Sequence, residues 1–294
     1  MNKNNIKISV IIPFYTHENL LEKCLLALTK QTIQPFEVIA LYNGKGLNSK
    51  ELVENFGFKW INEEKSGSYT ARNTGIKIAK GNIIAFTDAD CIPKENWIEE
   101  ALKTFNNKKE IGIIGGKIKL IYKNQKPKTY EIFESLFDFD QKYFIEINHS
   151  GCTSNLFIRK EVFEKNGLFD ENFKSMGDYK FTTEAYNKGI PLYYEESVEV
   201  SHPTRRSLYA FIQKQQRISG GVYLLLKKRS LNEFDLISKI FISNIMNFWR
   251  CFIITLNENF HFLIKFKIFI LIILISISNT FEQLSIFLGK KLKN

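Results

Sequence analysis

The stretch Asn-Ile-Ile-Ala-Phe-Thr-Asp-Ala-Asp at residues 82–90 decides the predicted fold of this chain. The residues after Gly81 have the pattern of a buried central strand, and Asp88 and Asp90 follow it directly. Open α/β sheets bind their ligands beyond the carboxyl ends of their strands. Carboxylates there suit Mg²⁺ or Mn²⁺, which bind through one or two carboxylates and the oxygens of a substrate diphosphate. An isolated acidic pair is also typical of a solvated turn, so the neighbouring motifs must decide.

A second buried strand is predicted over residues 8–15, with Pro13 ending it and Tyr15 at its carboxyl end. A helix is then predicted to begin near Glu18. Its apolar residues recur on one helical face, at Leu20, Leu21, Cys24, Leu25 and Leu28.

A third strand is predicted over residues 36–41, and it ends at Tyr42 and Asn43. If the three strands are parallel, their carboxyl ends meet at one edge of a sheet. The sequence therefore predicts a single crevice lined by Tyr15, Asn43 and Asp90.

Arg72 lies upstream of the acidic pair, within Gly-Ser-Tyr-Thr-Ala-Arg-Asn-Thr-Gly at residues 67–75. Ser68 or Thr70 is predicted to cap a short helix that carries this arginine. A planar, permanently charged guanidinium can hold a phosphate or form an ion pair with Asp88. The sequence leaves both interpretations open.

The order of these motifs resembles that of the family 2 glycosyltransferases. The segments that carry the resemblance are 9–15, 36–39, 67–75, 88–90, an acceptor-side strand and helix at 153–163, the Glu-Asp position at 177–178, and the closing His segment at 202–208. The resemblance covers roughly residues 6–230. It implies the α/β fold called GT-A, in which helices flank a mostly parallel sheet.

The resemblance also implies roles for individual residues. It places the nucleotide-diphosphate sugar donor against Pro13, Tyr15, Glu18, Tyr42, Asn43, Arg72 and Asp88. Asp90, the last carboxylate of its motif, would ligate Mn²⁺ or Mg²⁺, while Asp88 faces the ribose or a water molecule. His202 resembles a further metal or phosphate ligand, aided by Arg205. An isolated histidine beside a strand is otherwise structural.

Asp178 is the predicted catalytic base, because the resemblance places it where a carboxylate takes the proton of the acceptor hydroxyl. Attack from the face opposite the diphosphate would invert the anomeric configuration. Asp178 also opens a predicted helix that Gly189 closes, so helix capping is the simpler interpretation. Asp170 and Glu171 are the alternative carboxylates.

Three positions depart from the family pattern. Tyr42 stands where the family usually has an aspartate that contacts the nucleotide base, Lys45 replaces a small serine, and Gly177 replaces the glutamate before the catalytic aspartate. Tyrosine can stack on a base but cannot act as a carboxylate, so a uridine donor does not follow. These departures indicate either an unusual donor or an enzyme that has lost activity.

Charge is distributed unevenly along the chain. Residues 1–202 carry 27 basic and 27 acidic side chains, whereas residues 203–294 carry 14 basic and 4 acidic ones, which accounts for the whole net charge of +10. A basic, aromatic tail on a neutral body favours an anionic partner surface. The tail has no nucleic-acid-binding motif, so we expect a membrane and no nucleic acid.

The four widely spaced cysteines are typical of thiols in a reducing compartment.

Two segments of the tail have membrane-binding patterns. A polar stripe at helical spacing runs along residues 236–256, formed by Lys239, Ser243, Asn247 and Arg250. It predicts an amphipathic helix in the headgroup region. Residues 268–281 carry no charge but fall short of the roughly 20 residues that span a bilayer. They predict a steeply inserted or interfacial helix, with a helical hairpin packed on the body or on a second copy as the alternative.

Together these features predict an inverting, metal-dependent glycosyltransferase at the cytoplasmic face of the cell membrane. Residues 1–230 would form the catalytic domain, divided near residue 118 into nucleotide and acceptor halves, and residues 231–294 the membrane tail. The acceptor would be a glycan or lipid-linked sugar in polysaccharide, lipopolysaccharide or glycolipid synthesis. Transfer to a polyprenyl phosphate and a non-catalytic binding or scaffold role are the alternatives, and the oligomeric state stays open.

Overall fold

The computed structural model describes residues 6–15, 18–44 and 49–292. The strands in these ranges are β1 (Ile8–Phe14), β2 (Glu37–Tyr42), β3 (Lys59–Asn62), β4 (Ile83–Thr87), β5 (Ile92–Pro93), β6 (Ile113–Ile121), β7 (Asn155–Arg159) and β8 (Leu192–Pro203). The helices are α1 (Glu18–Thr29), α2 (Lys50–Asn55), α3 (Ser68–Ile78), α4 (Trp97–Asn107), α5 (Thr129–Phe137), α6 (Gln141–Glu146), α7 (Lys160–Asn166), α8 (Gly177–Asn187), α9 (Leu208–Lys228), α10 (Glu233–Asn257) and α11 (Phe262–Phe287).

The strands form one mixed sheet in the order β3-β2-β1-β4-β7-β6-β8-β5. The first four strands of this order are parallel, as is the pair β6–β8. Strand β7 runs antiparallel to both β4 and β6, and β5 runs antiparallel to β8. The predicted α/β sheet is present, and its parallel half contains the three strands that the sequence indicated.

The central position of β1 and β4 explains their apolar sequences. Val10, Ile11 and Ile84 are inaccessible to solvent, because a parallel strand covered on both faces has no solvent-facing side. The prediction that Pro13 ends β1 is wrong by one residue: Pro13 pairs in register with Leu41, and the strand continues to Phe14. Its ring fixes φ near a value that an extended strand accepts.

The chain divides into two compact units. Unit 1 comprises residues 1–121, 140–171 and 177–203, and contains the whole sheet described above. Unit 2 comprises residues 122–139, 172–176 and 204–294, and contains α5, α9, α10 and α11. The predicted division at residue 230, into a catalytic domain and a membrane tail, concerns function and stays a prediction.

Unit 2 is built around its helices. Apolar residues of α5, α9, α10 and α11 form one cluster, which includes Phe133, Phe211, Cys251 and Ile272. Asn244 of α10 donates a hydrogen bond to Gln283 of α11 over 2.8 Å. Helices α10 and α11 therefore form a hairpin, named here the C-terminal hairpin, whose inner face belongs to the core of unit 2.

The outer face of the C-terminal hairpin is apolar and exposed. Trp249 of α10 is 53% exposed and Phe281 of α11 is 70% exposed, and other large apolar side chains share this face. Among the described residues, α10 and α11 are the two helices long and apolar enough to cross a membrane. Apolar surface of this extent on a soluble monomer is unusual and marks an interaction site.

Candidate active site

The first feature of the site is a buried ion pair at the carboxyl end of β4. Arg72 of α3 lies with Nη2 2.5 Å from Asp88 Oδ1, and Ser154 Oγ donates to Asp88 Oδ2 over 2.5 Å. The guanidinium is almost fully buried, with 5% of the side chain exposed. Both carboxylate oxygens of Asp88 therefore have protein donors, and the side chain is held in one orientation.

The second feature is a cluster of possible metal ligands on the acidic turn after β4 and on β8. Asp88, Asp90, Cys91 and His202 each offer one ligand atom, and these atoms all lie within 4.8 Å of one another. Strand β5 fastens the turn beside β8, because Ile92 pairs with Ser201, the neighbour of His202. The structure thus brings His202 beside the acidic motif, while the predicted role of Asp90 and His202 as metal ligands stays a prediction.

The ring of His202 is oriented for ligation. Its Nδ1 lies 2.7 Å from the carbonyl oxygen of Pro203, and its Nε2 lies 3.5 Å from Asp90 Oδ1. A carbonyl oxygen only accepts, so Nδ1 carries the proton, and in the neutral ring Nε2 carries the lone pair. Histidines that ligate metals are typically fixed by such a hydrogen bond from the other ring nitrogen.

The donor chemistry of this cluster distinguishes between metals. Burial raises the pKa of the Cys91 thiol well above its ordinary value, and the negative charges of Asp90 and Asp88 raise it further. Without a bound metal the thiol therefore keeps its proton, and the donors that need no deprotonation are carboxylate oxygens and one imidazole nitrogen. Such a set suits Mn²⁺ or Mg²⁺ and lacks the thiolates typical of structural zinc sites.

The third feature is the carboxylate of Asp178 in the first turn of α8. The Tyr69 hydroxyl and the Tyr179 amide donate to Oδ1 over 2.9 and 3.0 Å. The amide and hydroxyl of Thr153 donate to Oδ2 over 3.0 and 3.1 Å. All four partners are donors, which is the environment that an ionised carboxylate requires. Asp178 is nonetheless only half-buried.

Residues 152–154, directly before β7, connect the two acidic groups. Thr153 contacts Asp178, and the next residue, Ser154, contacts Asp88. Burial raises the pKa of the preceding residue, Cys152, to about 12, with further contributions from the Asp178 and Asp88 carboxylates. Sequence reasoning did not single out Thr153, Ser154 or Tyr69. The adjacent hydroxyl residues Thr153 and Ser154, directly before the strand beside β4, are a signal that could have identified the first two.

The predicted nucleotide-binding residues at the ends of β1 and β2 differ in accessibility. Tyr15 is 61% exposed, while Pro13 is half-buried. Tyr42 is only 7% exposed, because its ring packs on Phe14 at 5.3 Å between centroids. A Cβ on Gly44 would also collide with that ring at 2.7 Å. Tyr42 thus offers little surface for stacking, in contrast to Tyr15.

Asn43 has a structural task in the loop between β3 and α3. Its amide donates to the carbonyls of Glu63 and Lys65, and its carbonyl accepts from the Gly67 amide. Gly67, with φ 133°, is the N-cap of α3, and no side chain caps this helix. The prediction that Ser68 or Thr70 caps it is therefore wrong, because a glycine in the left-handed half of φ space makes the turn.

The remaining predicted residues are less conclusive. Lys45 lies outside the described residues, and so does the side chain of Glu18. Glu171 forms an ion pair with Lys65 that lowers its pKa, and Asp170 lies 3.8 Å from the Lys180 ammonium. The alternative carboxylates thus have cationic partners.

Arg205 belongs to unit 2, where it contacts a buried carboxylate. Its backbone amide donates to Glu134 over 2.9 Å, and its Nε lies 3.7 Å from the same carboxylate. Lys214 adds a hydrogen bond of 2.7 Å to that group. These contacts account for Arg205 within unit 2.

Comparison with known proteins gives concordant matches. The family model described as Glycosyl transferase family 2 matches residues 9–167. The chain is 33% identical over 222 residues to "Glycosyltransferase AglE" of Haloferax volcanii, covering 73% of this chain and 72% of that protein. It is 25% identical to a protein of Methanococcus voltae named "Dolichyl N-acetyl-alpha-D-glucosaminyl phosphate 3-beta-D-2,3-diacetamido-2,3-dideoxy-beta-D-glucuronosyltransferase", covering 76% of this chain and 75% of that protein.

A solved structure is similar over nearly the whole chain. It is the mannosyltransferase PcManGT from Pyrobaculum calidifontis in complex with GDP-Man and Mn²⁺, with a TM-score of 0.67 at 14% identity. The similarity covers 96% of this chain and 88% of the other. At this identity the match concerns the fold, and it confirms the predicted GT-A-type architecture.

Proposed function

The chain belongs to glycosyl transferase family 2, and we propose that unit 1 transfers a sugar from a nucleotide diphosphate to an acceptor hydroxyl. The reaction would take place at the edge of the sheet where the side chains of the candidate active site lie, named here the rim. The observation that supports this most strongly is the convergence of Asp88, Asp90 and His202 within 4.8 Å at the end of β4. Carboxylate oxygens and an imidazole nitrogen are donor types that divalent ions use in proteins. They suit a divalent ion that a diphosphate completes.

Asp90 and His202 would hold Mn²⁺ or Mg²⁺. Their oxygen and nitrogen donors fit either ion, and the imidazole favours Mn²⁺. PcManGT, the structural neighbour, was crystallised with GDP-Man and Mn²⁺. When bound, the ion supplies Lewis-acid stabilisation for the charge that develops on the departing diphosphate.

Asp88 and Arg72 would orient the nucleotide beside the ion. The ion pair between them fixes both side chains, and a buried guanidinium adds positive charge to the region where the diphosphate must lie. Tyr15, exposed at the end of β1, is the proposed stacking surface for the nucleotide base. Tyr42 is too buried for that role, so we assign it to packing against Phe14.

Asp178 is the proposed general base. The proton of the acceptor hydroxyl passes to its carboxylate, the hydroxyl oxygen bonds to the anomeric carbon, and the bond from that carbon to the diphosphate breaks. The nucleoside diphosphate leaves with the electron pair, and the configuration inverts. The half-buried position of Asp178 supports this role, because an acceptor hydroxyl must be able to reach the residue.

The acceptor is proposed to be a lipid-linked sugar. The exposed apolar face of the C-terminal hairpin supports a site of action at a membrane, and basic residues of the tail favour anionic lipid. The Methanococcus voltae relative is named for transfer to a dolichyl-phosphate-linked sugar. The four cysteines are free thiols, which supports the reducing, cytoplasmic face of the membrane.

A donor panel tests the proposed function. Purified full-length protein is incubated with UDP-, GDP- and dTDP-sugars plus Mn²⁺, Mg²⁺ or EDTA, and released nucleoside diphosphate is measured. We expect slow metal-dependent release from one donor class, lost in Asp90→Asn and kept in Glu54→Gln, an exposed carboxylate on α2. Absence of both binding and release for every donor would refute the proposal, and release in EDTA would refute the metal.

A further inference from the structure

Tyr69 and Gly177 form a matched pair beneath Asp178. The Tyr69 hydroxyl donates to Asp178 Oδ1 over 2.9 Å and accepts from the Gly177 amide over 3.0 Å. The Tyr69 ring is buried and packs on Phe169 at 5.6 Å between centroids. The hydroxyl therefore sits at a fixed point between the start of α8 and the carboxylate.

The ring of Tyr69 explains why residue 177 is a glycine. A Cβ on Gly177 would lie 2.7 to 2.9 Å from three ring atoms of Tyr69, closer than real Cβ contacts occur. The backbone there does not need the left-handed region, so space is the reason for glycine, and conformation is not. No side chain at position 177 can reach past the ring to help orient an acceptor or the carboxylate.

The four hydrogen bonds of Asp178 divide between its two oxygens. Oδ1 accepts from the Tyr69 hydroxyl and the Tyr179 amide, and Oδ2 accepts from the amide and hydroxyl of Thr153. The Thr153 hydroxyl can turn about its Cβ–Oγ bond. The Tyr69 hydroxyl is constrained, because its oxygen also accepts from the Gly177 amide. Oδ1 is thus the more firmly anchored oxygen of the carboxylate.

We propose that Tyr69 is the positioning residue for the catalytic carboxylate of Asp178, and that Gly177 is required to admit its ring. This rests on the proposed role of Asp178 as base. In this arrangement the hydroxyl of a tyrosine on α3 orients the base. The residue of α8 that precedes the base has no side chain. Tyr69 does not touch the substrate, and it acts through Asp178.

The chemical state of Tyr69 is consistent with a fixed donor. Burial raises the pKa of its hydroxyl well above the usual value, and the negative charge of Asp178 raises it further. The hydroxyl therefore keeps its proton at any pH at which the enzyme works.

The principal test is Tyr69→Phe in the full-length protein, assayed for kcat, donor KM and the pH dependence of kcat. The variant keeps the ring and its packing but removes one hydrogen bond that holds the Asp178 carboxylate in place. We expect kcat to fall about tenfold with donor KM unchanged, because the carboxylate loses its orientation while the donor site is untouched. The pH profile of kcat serves only to choose the pH at which the two proteins are compared. Tyr186→Phe, which removes an exposed hydroxyl from α8, is the matched control and should leave kcat and donor KM unchanged.

A second arm tests the steric half of the proposal. Gly177→Ala should lower kcat at least about fivefold when Tyr69 is present, but cost nothing further in a Tyr69→Ala background, because the collision is gone. Additive losses in this double-mutant cycle would overturn the pairing.

The outcomes separate this proposal from the proposed function. If Asp178→Asn remains fully active, the base assignment fails. If Asp178→Asn is inactive while Tyr69→Phe keeps the wild-type kcat, Asp178 is the base and Tyr69 does not position it. If donor affinity falls in parallel with kcat in Tyr69→Phe, the tyrosine is merely structural and the proposal is overturned.

Discussion

The two units of this protein distribute polar and apolar side chains in opposite ways. In unit 1 the polar groups Arg72, Asp88 and Asp178 converge at one edge of the sheet, each held by hydrogen bonds from the fold. In unit 2 the C-terminal hairpin turns large apolar side chains such as Trp249 and Phe281 outward. The proposed chemistry of unit 1 therefore depends on a few atoms, whereas the proposed membrane binding of unit 2 depends on a whole surface.

This difference determines how each unit should respond to mutation. A single charged group at a reaction centre can contribute several kcal/mol to the barrier, so one substitution at the rim should abolish chemistry. An apolar side chain on a membrane-binding face contributes about 1.5–3 kcal/mol when it is fully buried, so several must change before binding fails. The predictions below test this contrast, starting with the largest effect.

The largest effect is expected for Asp90→Ala at the rim. We expect transfer to fall by about three orders of magnitude or more, because the proposed metal ligand stabilises the leaving diphosphate. The measurement is product formation with the best donor and acceptor in Mn²⁺. Membrane flotation of the same variant should match wild type, and a parallel loss of flotation would show that the units are not functionally separate.

Asp178→Asn should come second. The substitution preserves shape but removes the proton acceptor, so turnover should fall by about 10² or more while donor affinity stays nearly unchanged. Turnover and donor binding are measured separately, by product formation and by calorimetry. Lost donor binding, or an unfolded variant, would make Asp178 a structural residue and leave the rim without a base.

A smaller effect is expected for acidic substitutions on the outer face of the hairpin. Replacing Trp249, Ile253 and Phe281 together by glutamate should lower partition onto anionic vesicles at least about tenfold, because charge and lost apolar area both oppose insertion. Donor hydrolysis by unit 1 should continue. Deleting the C-terminal hairpin is the poorer experiment. Ile268 and Ile272 on its inner face are buried in the core of unit 2, so the deletion would also remove part of that core.

The control for this experiment carries the same added charge elsewhere. It places glutamate at three exposed polar positions, Asn106, Asn124 and Gln125. Flotation of this control should remain as in wild type. If flotation falls equally in both triple variants, the added negative charge alone explains the loss. If the hairpin variant floats like wild type, the apolar face is a packing surface and does not bind membranes.

The smallest effect concerns the core beneath the rim at alkaline pH. Burial raises the pKa of Cys24, and it raises that of Cys152 to about 12, with the nearby rim carboxylates contributing to both shifts. In the unfolded chain these thiols lose their protons near pH 9, while in the folded chain they keep them. The unfolded state then binds fewer protons, so the free energy of unfolding falls as pH rises, by about 1.4 kcal/mol per pH unit for each thiol.

Thermal melting between pH 8 and 10.5 measures this slope. Cys152→Ala should melt with a shallower decline than wild type, because it removes one of the titrating thiols. Identical slopes for the two proteins would show that the Cys152 thiol is already accessible to base in the folded state.

The strands of the parallel half were predictable because their burial leaves a direct trace in sequence. β1, β2 and β4 are covered on both faces, so each is a nearly continuous apolar run, and the predicted bounds differ by one residue or so. Edge strand β3 is largely exposed and lacks this trace. The two-residue β5 is defined only by its pairing with β8, which no local pattern encodes.

The candidate site was predictable where a motif is local and unpredictable where distant segments meet. Asp88, Asp90 and Arg72 lie in short motifs whose residue types already indicate their chemistry. Ser154 and Tyr69, by contrast, contact carboxylates 66 and 109 residues away along the chain, and only the folded sheet brings them together. The burial of Tyr42 under Gly44 is likewise a tertiary effect that its position after β2 did not reveal.

The central claim is that Asp90 and His202 hold a divalent ion together with the donor diphosphate, and Mn²⁺ binding tests it most directly. Electron paramagnetic resonance follows the loss of the free Mn²⁺ signal as full-length protein is added, with and without the nucleoside diphosphate of the best donor. Wild type and Glu54→Gln should bind one Mn²⁺ per chain when the diphosphate is present. Asp90→Asn and His202→Phe should each weaken that binding at least about tenfold. Wild-type Mn²⁺ affinity in Asp90→Asn would contradict the account.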